Sequence, residues 1–200
     1  MGRRSDHSRA EQEAMILEAG GRLMAETGYA RFSAREVGKR VGYSVGTVVN
    51  LFGGVDGLVV AINAETFHHW TAFLESHLSD ASGADRIARL VTGYFDFAAT
   101  NLNRWAAIYE HRLPTGADMP GQLACARAAL TDVVVREVAA ILPDAKVQEA
   151  GSLSRSLVAT VHGHCVFALM GSFAVLGEGD PLALAIARVI ESLRAHGAAV

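Results

Sequence analysis

Glycine punctuation across the first sixty residues constrains this chain more than any other feature. Apolar positions Met15, Ile16, Ala19, Leu23 and Met24 recur at spacings of three and four, the period of an amphipathic helix, and Gly28 follows the run. Ser33 with Glu36 three residues later has the form of a capping box, which predicts a short second helix ending near Gly42. Ser44 is placed to cap a third helix that reaches about Leu51. Three short helices in quick succession, the last two joined by a glycine turn, make a helix-turn-helix.

The side chains of the third segment sort onto two faces. Val48 and Phe52, four apart, point inward toward Val37 and the first helix. The other side offers Val45, Thr47, Val49 and Asn50, preceded by Ser44 and by Arg35 and Lys39 of the second helix. A helix that reads a major groove needs small residues near its N-terminus, and Gly46 and Thr47 satisfy that need. Asn50 suits a base edge or a phosphate, Thr47 a phosphate, and the two valines the methyl of thymine. The same Thr47 and Asn50 also suit a small helical module that merely solvates or caps its own ends. Charge favours neither reading strongly. Residues 1–60 carry a net charge of +1 and the remaining 140 a net charge of -4, so a locally positive face sits in an acidic chain.

Residues 16–58 resemble the N-terminal DNA-binding region of TetR-type transcriptional regulators. The resemblance rests on Ser33, Arg35, Val37, Gly42, Ser44, Gly46, Thr47, Phe52 and Leu58, with Gly28 closing the first helix. It implies an all-helical homodimer in which this module joins a larger ligand-sensing and dimerising domain. It also implies repression that ends when a small molecule releases the protein from operator DNA. Three positions depart from the family pattern. Val49 stands where an aromatic residue usually touches the DNA backbone, Val45 where a basic residue often follows the serine, and Val55 where a lysine often starts the fourth helix. Each lost phosphate contact lowers affinity and its salt dependence. Arg3, Arg4 and Arg9 can compensate if they form an N-terminal arm that reaches phosphates or a minor groove.

Helical patterning continues to the end of the chain, so the expected fold is all-α with about nine helices. The expected division is a DNA-binding domain over residues 8–55 and a regulatory and dimerisation domain over residues 56–197. A long helix after Asp56 connects them. The last two helical segments, over residues 149–176 and 181–196, are rich in small and aliphatic residues. Gly163, Gly171, Ala174, Ile186, Val189, Ile190 and Leu193 are therefore the candidate dimer interface, in a four-helix bundle about a two-fold axis. The run around His162 and Gly163 resembles the Trp/Val-His-Gly signature of one C-terminal subtype of these regulators. Candidates for an effector cavity are Trp70, Tyr94, Phe97, Trp105, Tyr109, His111, His162, Cys165 and Met170, aromatic, soft or switchable groups that suit a hydrophobic or aromatic small molecule.

Other function classes find less support. The histidine pairs His68/His69 and His162/His164 are spaced one and two apart, which places neither pair on one helical face to share a metal. The chain has no His-Glu-x-x-His, Cys-x-x-Cys or glycine-rich phosphate loop, so no metal, cofactor or catalytic set is expected. The best enzymatic alternative pairs Cys165 with His162, three residues earlier. The other alternative is a dimeric interaction protein with weakened DNA binding, which the three valines favour. No apolar run reaches the ~18 residues of a membrane span, and the N-terminal segment lacks the apolar stretch of a signal peptide. The cytoplasm is the expected compartment, with Cys125 and Cys165 expected as reduced packing thiols.

Overall fold

The structure, a computed structural model, describes residues 7–83, 85–113, 116, 118–177 and 179–200. Among these the architecture is all-α, with ten helices: α1 (Arg9–Thr27), α2 (Ala34–Val41), α3 (Val45–Phe52), α4 (Val55–Leu78), α5 (Asp85–Thr100), α6 (Leu102–Glu110), α7 (Gly121–Ala139), α8 (Ala150–Leu169), α9 (Ser172–Leu176) and α10 (Pro181–Ala195). Nine of them have eight residues or more, and α9 is a five-residue turn of helix. The chain divides into two compact units, Met1–Phe67 with Asn101–Ala126, and His68–Thr100 with Arg127–Val200. No single helix among the described residues is long and apolar enough to cross a membrane.

The first unit is built on α1. Ser8 caps it, its hydroxyl accepting the Glu11 N–H at 3.3 Å while the Glu11 carboxylate accepts the Ser8 N–H at 2.6 Å. The capping box therefore lies here and not at Ser33, whose side chain makes no cap bond to α2. The reason is visible at Glu36, whose carboxylate turns toward Lys39 at 3.4 Å and Arg40 at 4.0 Å instead of reaching back to the Ser33 N–H. Arg9 opens α1 and pairs with Glu13, so it is helical rather than part of an arm. Arg3 and Arg4 lie outside the described residues.

Ile16, Leu23 and Met24 of α1, Val37 of α2, Val48 of α3 and Leu58 and Ile62 of α4 are fully or almost fully buried in one cluster that Ala107 of α6 completes. Helix α6 is fastened to it by polar bonds. The Asn103 amide donates to the Ala25 carbonyl at 2.7 Å, and the Arg104 Nε to the Thr66 hydroxyl at 3.2 Å. A segment about fifty residues downstream of α3 thus belongs to the same compact unit as the helix-turn-helix, a grouping that chain order conceals.

In the second unit α5, α8 and α10 pack on one another around Ile87, Val91, Tyr94, Leu157, Val161, Val189 and Leu193. The start of α5 is held by Arg86. Its guanidinium donates to both oxygens of Glu137 at 2.6 and 2.9 Å and to the carbonyls of Leu78, the last residue of α4, and Ala81 at 2.8 and 2.9 Å. Arg136 adds a bond to Glu137 and a two-pronged pair with Glu75. Helix α8 stops at Leu169 instead of running on to residue 176, because Gly171 takes a left-handed backbone, φ 73°, and restarts the chain as α9.

Candidate functional site

The turn between α2 and α3 depends on two glycines. Gly42 adopts a left-handed conformation, φ 75° and ψ 22°, and caps α2. Gly38 allows the chain to fold back closely, since a Cβ on it would stand 2.7 Å from the Tyr43 carbonyl oxygen. The Tyr43 N–H donates to the Gly38 carbonyl at 2.9 Å, which locks the turn. Ser44 then caps α3, its hydroxyl accepting the Thr47 N–H at 3.1 Å and lying 3.0 Å from the Thr47 hydroxyl. Val48 points inward with no exposure, and Phe52 packs against the same cluster. The rest of α3 is left outward.

On that outer surface Val45 is 42% exposed, Asn50 is exposed, and Thr47 and Val49 are half-buried. Ser44 is exposed at the N-terminal end of α3, where the helix presents its partial positive charge. Arg35 and Lys39 project from α2; Lys39 pairs weakly with Glu36, and Arg35 has no ion-pair partner among the described residues. Arg40, in contrast, is engaged by both oxygens of Glu26 at 2.9 and 2.6 Å, tying α2 to α1 and holding the Glu26 carboxyl below its usual pKa. The seven positions expected to meet DNA are thus exposed or half-buried, two on α2 and five at the cap of α3 and along it. Sequence reading missed Gly38 and Gly57; a Cβ on Gly57 would overlap the Phe52 carbonyl oxygen, so the α3–α4 corner closes only around glycine. Their signal was a glycine inside an otherwise helical run.

The second unit carries a half-open apolar hollow, whose space together with the open solvent at its mouth is about 440 Å³. Its wall is Leu74, Ile87, Leu90, Val91, Tyr94, Val134, Val138, Leu157, Val158, Val161 and Val189. Of the nine side chains expected to line a cavity, Tyr94 stands in the wall of this one. Its hydroxyl lies 2.8 Å from Nδ1 of His162, a half-buried imidazole whose pKa burial lowers. Trp70 and Phe97 pack behind, Trp70 stacked on Phe97 at 4.8 Å and edge-on to Tyr94 at 4.9 Å. Cys165 is buried on α8. Trp105, Tyr109 and His111 belong to the first unit, where Trp105 meets Tyr109 edge-on at 5.3 Å and His111 meets Tyr29 at 5.7 Å. Met170 is 75% exposed at the end of α8.

The side chains expected at a dimer interface also separate. Val189 and Leu193 are buried within the protomer and are taken up by its own core. Ile186 and Ile190 are half-buried, while Gly163, Gly171 and Ala174 are exposed. Around them lie Phe167, Met170, Val175 and Leu176, with Val175 at 87% and Leu176 at 67% exposure. The Cys165 thiol is pushed up to about 11 by burial, the opposite of what a nucleophile requires, and His162 is bonded to Tyr94. Among the described residues no three metal-binding side chains cluster.

Two family models match the chain. The model for bacterial regulatory proteins of the tetR family covers residues 16–62, and that for the tetracyclin repressor-like C-terminal domain covers residues 87–193. No curated protein matches it. Among solved structures it is similar to a protein with unknown function from Rhodococcus sp. RHA1, at a TM-score of 0.73 and 22% identity over all of both chains. It is also similar to multidrug binding protein EbrR complexed with imidazole, at a TM-score of 0.62 and 21% identity over 94% of this chain and 96% of that one. A third is FadR from Bacillus subtilis in complex with stearoyl-CoA, at 0.63 and 14% over 90% and 96%. At these identities the likeness is one of fold.

Proposed function

Because this chain belongs to the tetR family of bacterial regulatory proteins, which bind DNA and respond to small ligands, we propose that it is a homodimeric repressor. In this reading a hydrophobic or aromatic effector, bound in the second unit, releases it from a palindromic operator in the cytoplasm. The observation that carries the reading is the presentation of α3. Its inward side is fixed by Val48 in the core, its start by the Ser44 cap, and its outer side leaves Val45, Thr47, Val49 and Asn50 available to a groove. Arg35 and Lys39 supply flanking positive charge. The departures at Val45, Val49 and Val55 remove three polar or aromatic backbone contacts, so the reading carries fewer phosphate contacts and a shallow salt dependence.

Support for a dimer comes from the exposed apolar group Phe167, Met170, Val175 and Leu176 beside Gly163, a surface that a solitary protomer leaves in water. A two-fold pair also fits the repeated half-sites that a helix-turn-helix reads one DNA turn apart. The DNA reading is tested by selecting bound duplexes from a random pool with the purified protein. Enrichment of an inverted repeat is expected. Failure to enrich any duplex at low salt overturns the repressor reading in favour of an interaction protein.

A further inference from the structure

We infer that the buried imidazole of His111 and the exposed carboxylate of Asp56 form a proton-dependent pair that positions the α3–α4 corner, so that DNA is held more tightly as pH falls from 8 to 6. The inference rests on the reading above, in which α3 meets DNA, and adds to it two positioning residues outside α3.

The pair closes a seam between α4 and α6 in the first unit. Three polar contacts run along it: the Arg104 Nε donates to the Thr66 hydroxyl at 3.2 Å, the Asn63 amide to the Ala107 carbonyl at 3.4 Å, and His111 Nε2 stands 3.4 Å from the Asp56 carboxylate. Residue numbers rise along α6 as they fall along α4, so the third contact lies at the start of α4. His111 also caps α6, its N–H donating to the same Ala107 carbonyl at 3.0 Å. Of the three contacts, this is the one whose partners include a side chain that changes charge between pH 5 and 8.

Burial makes that change consequential. The His111 side chain is 2% exposed, and its Nε2 has no hydrogen-bond partner among the described residues. Asp56, 76% exposed, stays hydrated. The protonated ring carries an N–H on both nitrogens, so the ion-pair distance becomes a charge-assisted bond to the carboxylate. A buried cation needs a compensating anion, and Asp56 is the one placed to supply it. The other titratable group in contact with the ring is Tyr29, edge-on at 5.7 Å from the short turn that follows α1. Glu110 and Arg112 flank His111 in sequence and are exposed, Arg104 is bonded to Thr66 two turns back, and Glu65 of α4 is the carboxylate near Arg104. On α1, Glu18 pairs with Arg22 and Glu26 with Arg40.

The corner passes the effect to α3. Asp56 sits in the first turn of α4 between Gly54, at φ 133°, and Gly57, where a Cβ would stand 1.9 Å from the Phe52 carbonyl oxygen. Phe52 ends α3, so the two helices meet without slack across a bend of 66°. A bond that fixes Asp56 therefore fixes the end of α3 and lowers the ordering cost of docking it. Charge acts in the same direction. Asp56 is a negative charge four residues past α3, and a proton on His111 offsets its repulsion of phosphates.

The test follows binding of the full-length protein to the selected duplex and to a random duplex at fixed low salt, by fluorescence anisotropy at pH 6, 7 and 8, with the histidine Cε1–H resonances of the free protein recorded over the same range. Affinity is expected to be at least about fivefold higher at pH 6 than at pH 8, the lower end of the usual coupling between linked sites. Asp56→Asn and His111→Gln should each remove most of that rise, and Asp56→Glu, which keeps the carboxylate, should keep part of it. His69→Gln, at an exposed histidine of the second unit, should keep it all. The His111 resonance should move with pH in the parent and stay at its neutral position in Asp56→Asn. Because Asp56 is exposed, that variant carries the test even where His111→Gln fails to fold. A pair that merely braces the fold would lower affinity by the same factor at every pH. An unmoved His111 resonance, or a pH dependence that both variants retain, overturns the inference and leaves the DNA reading standing. Failure to bind either duplex at any pH overturns both.

Discussion

Gly38 sits inside α2, where alanine is ordinarily the better helix former by about 1 kcal/mol. Propensity alone therefore makes Gly38→Ala stabilising. The structure reverses the sign. An added Cβ would stand 2.7 Å from the Tyr43 carbonyl oxygen and 3.5 Å from backbone atoms of Ser44 and Val45, and a main-chain neighbour cannot swing aside as a side-chain tip can. Relieving the overlap means moving the turn that the Tyr43-to-Gly38 bond closes, an overpacking cost of about 1–3 kcal/mol. Subtracting the helix gain leaves a net loss of about 1 kcal/mol, or a fall in Tm of roughly 2–4 °C for a chain of this size. The same displacement re-aims α3, so DNA affinity should fall further than stability does. Gly46→Ala is the matched control: its Cβ would meet only the Ser44 hydroxyl at 3.6 Å, so the fold should gain a few tenths of a kcal/mol. Urea unfolding and fluorescence anisotropy on a labelled duplex report both quantities. A Gly38→Ala protein that is more stable than the parent and binds DNA normally would refute the reasoning.

Asn50→Ala should cost ~1–3 kcal/mol of discrimination between selected and random DNA if Asn50 reads a base, while Arg35→Ala should weaken both duplexes alike and lower the salt slope by about one. Equal losses on both duplexes for Asn50→Ala would assign it to positioning. Glu137→Gln should destabilise the protein at pH 7 by about 2 kcal/mol, because Arg86 loses a nearly buried partner. The Arg86 hydrogen bond holds the Glu137 carboxyl below its ordinary value of 4.5, so its contribution is complete above that pH and is lost as pH falls through the lower folded value. The acid limb of a stability-against-pH curve should therefore be shallower in the variant, and an unchanged limb would contradict this. Gly163→Leu meets open space in the protomer, so it should leave the unfolding of the isolated subunit intact and raise the dimer dissociation constant at least about tenfold by sedimentation; an unchanged constant would place the interface elsewhere.

The first four helices were legible because glycines and a serine cap mark their ends, and local chemistry decides those positions. The capping box was not, since Ser8–Glu11 and Ser33–Glu36 carry the same pattern and only the ion pairs around Glu36 distinguish them. Amphipathic stripes show that a residue is buried without showing by what. Val189 and Leu193 belong to the same stripe as Ile186 and Ile190, yet the protomer's own core takes the first two. The cavity illustrates the same limit: aromatic and soft residues looked suited to a ligand, but the rings satisfy one another and aliphatic side chains form the wall. Nothing in the spacing of α1 and α6 announces the Asn103–Ala25 bond.

The central claim is that two copies of α3 read a symmetric DNA site. The most direct measurement is an anisotropy competition among the selected inverted repeat, a duplex of equal length with one half-site scrambled, and a random duplex, at fixed salt. The account predicts two protomers on the full repeat, affinity at least about 10³-fold above random DNA, and most of that advantage lost with one half-site. Equal affinity for all three duplexes would contradict it.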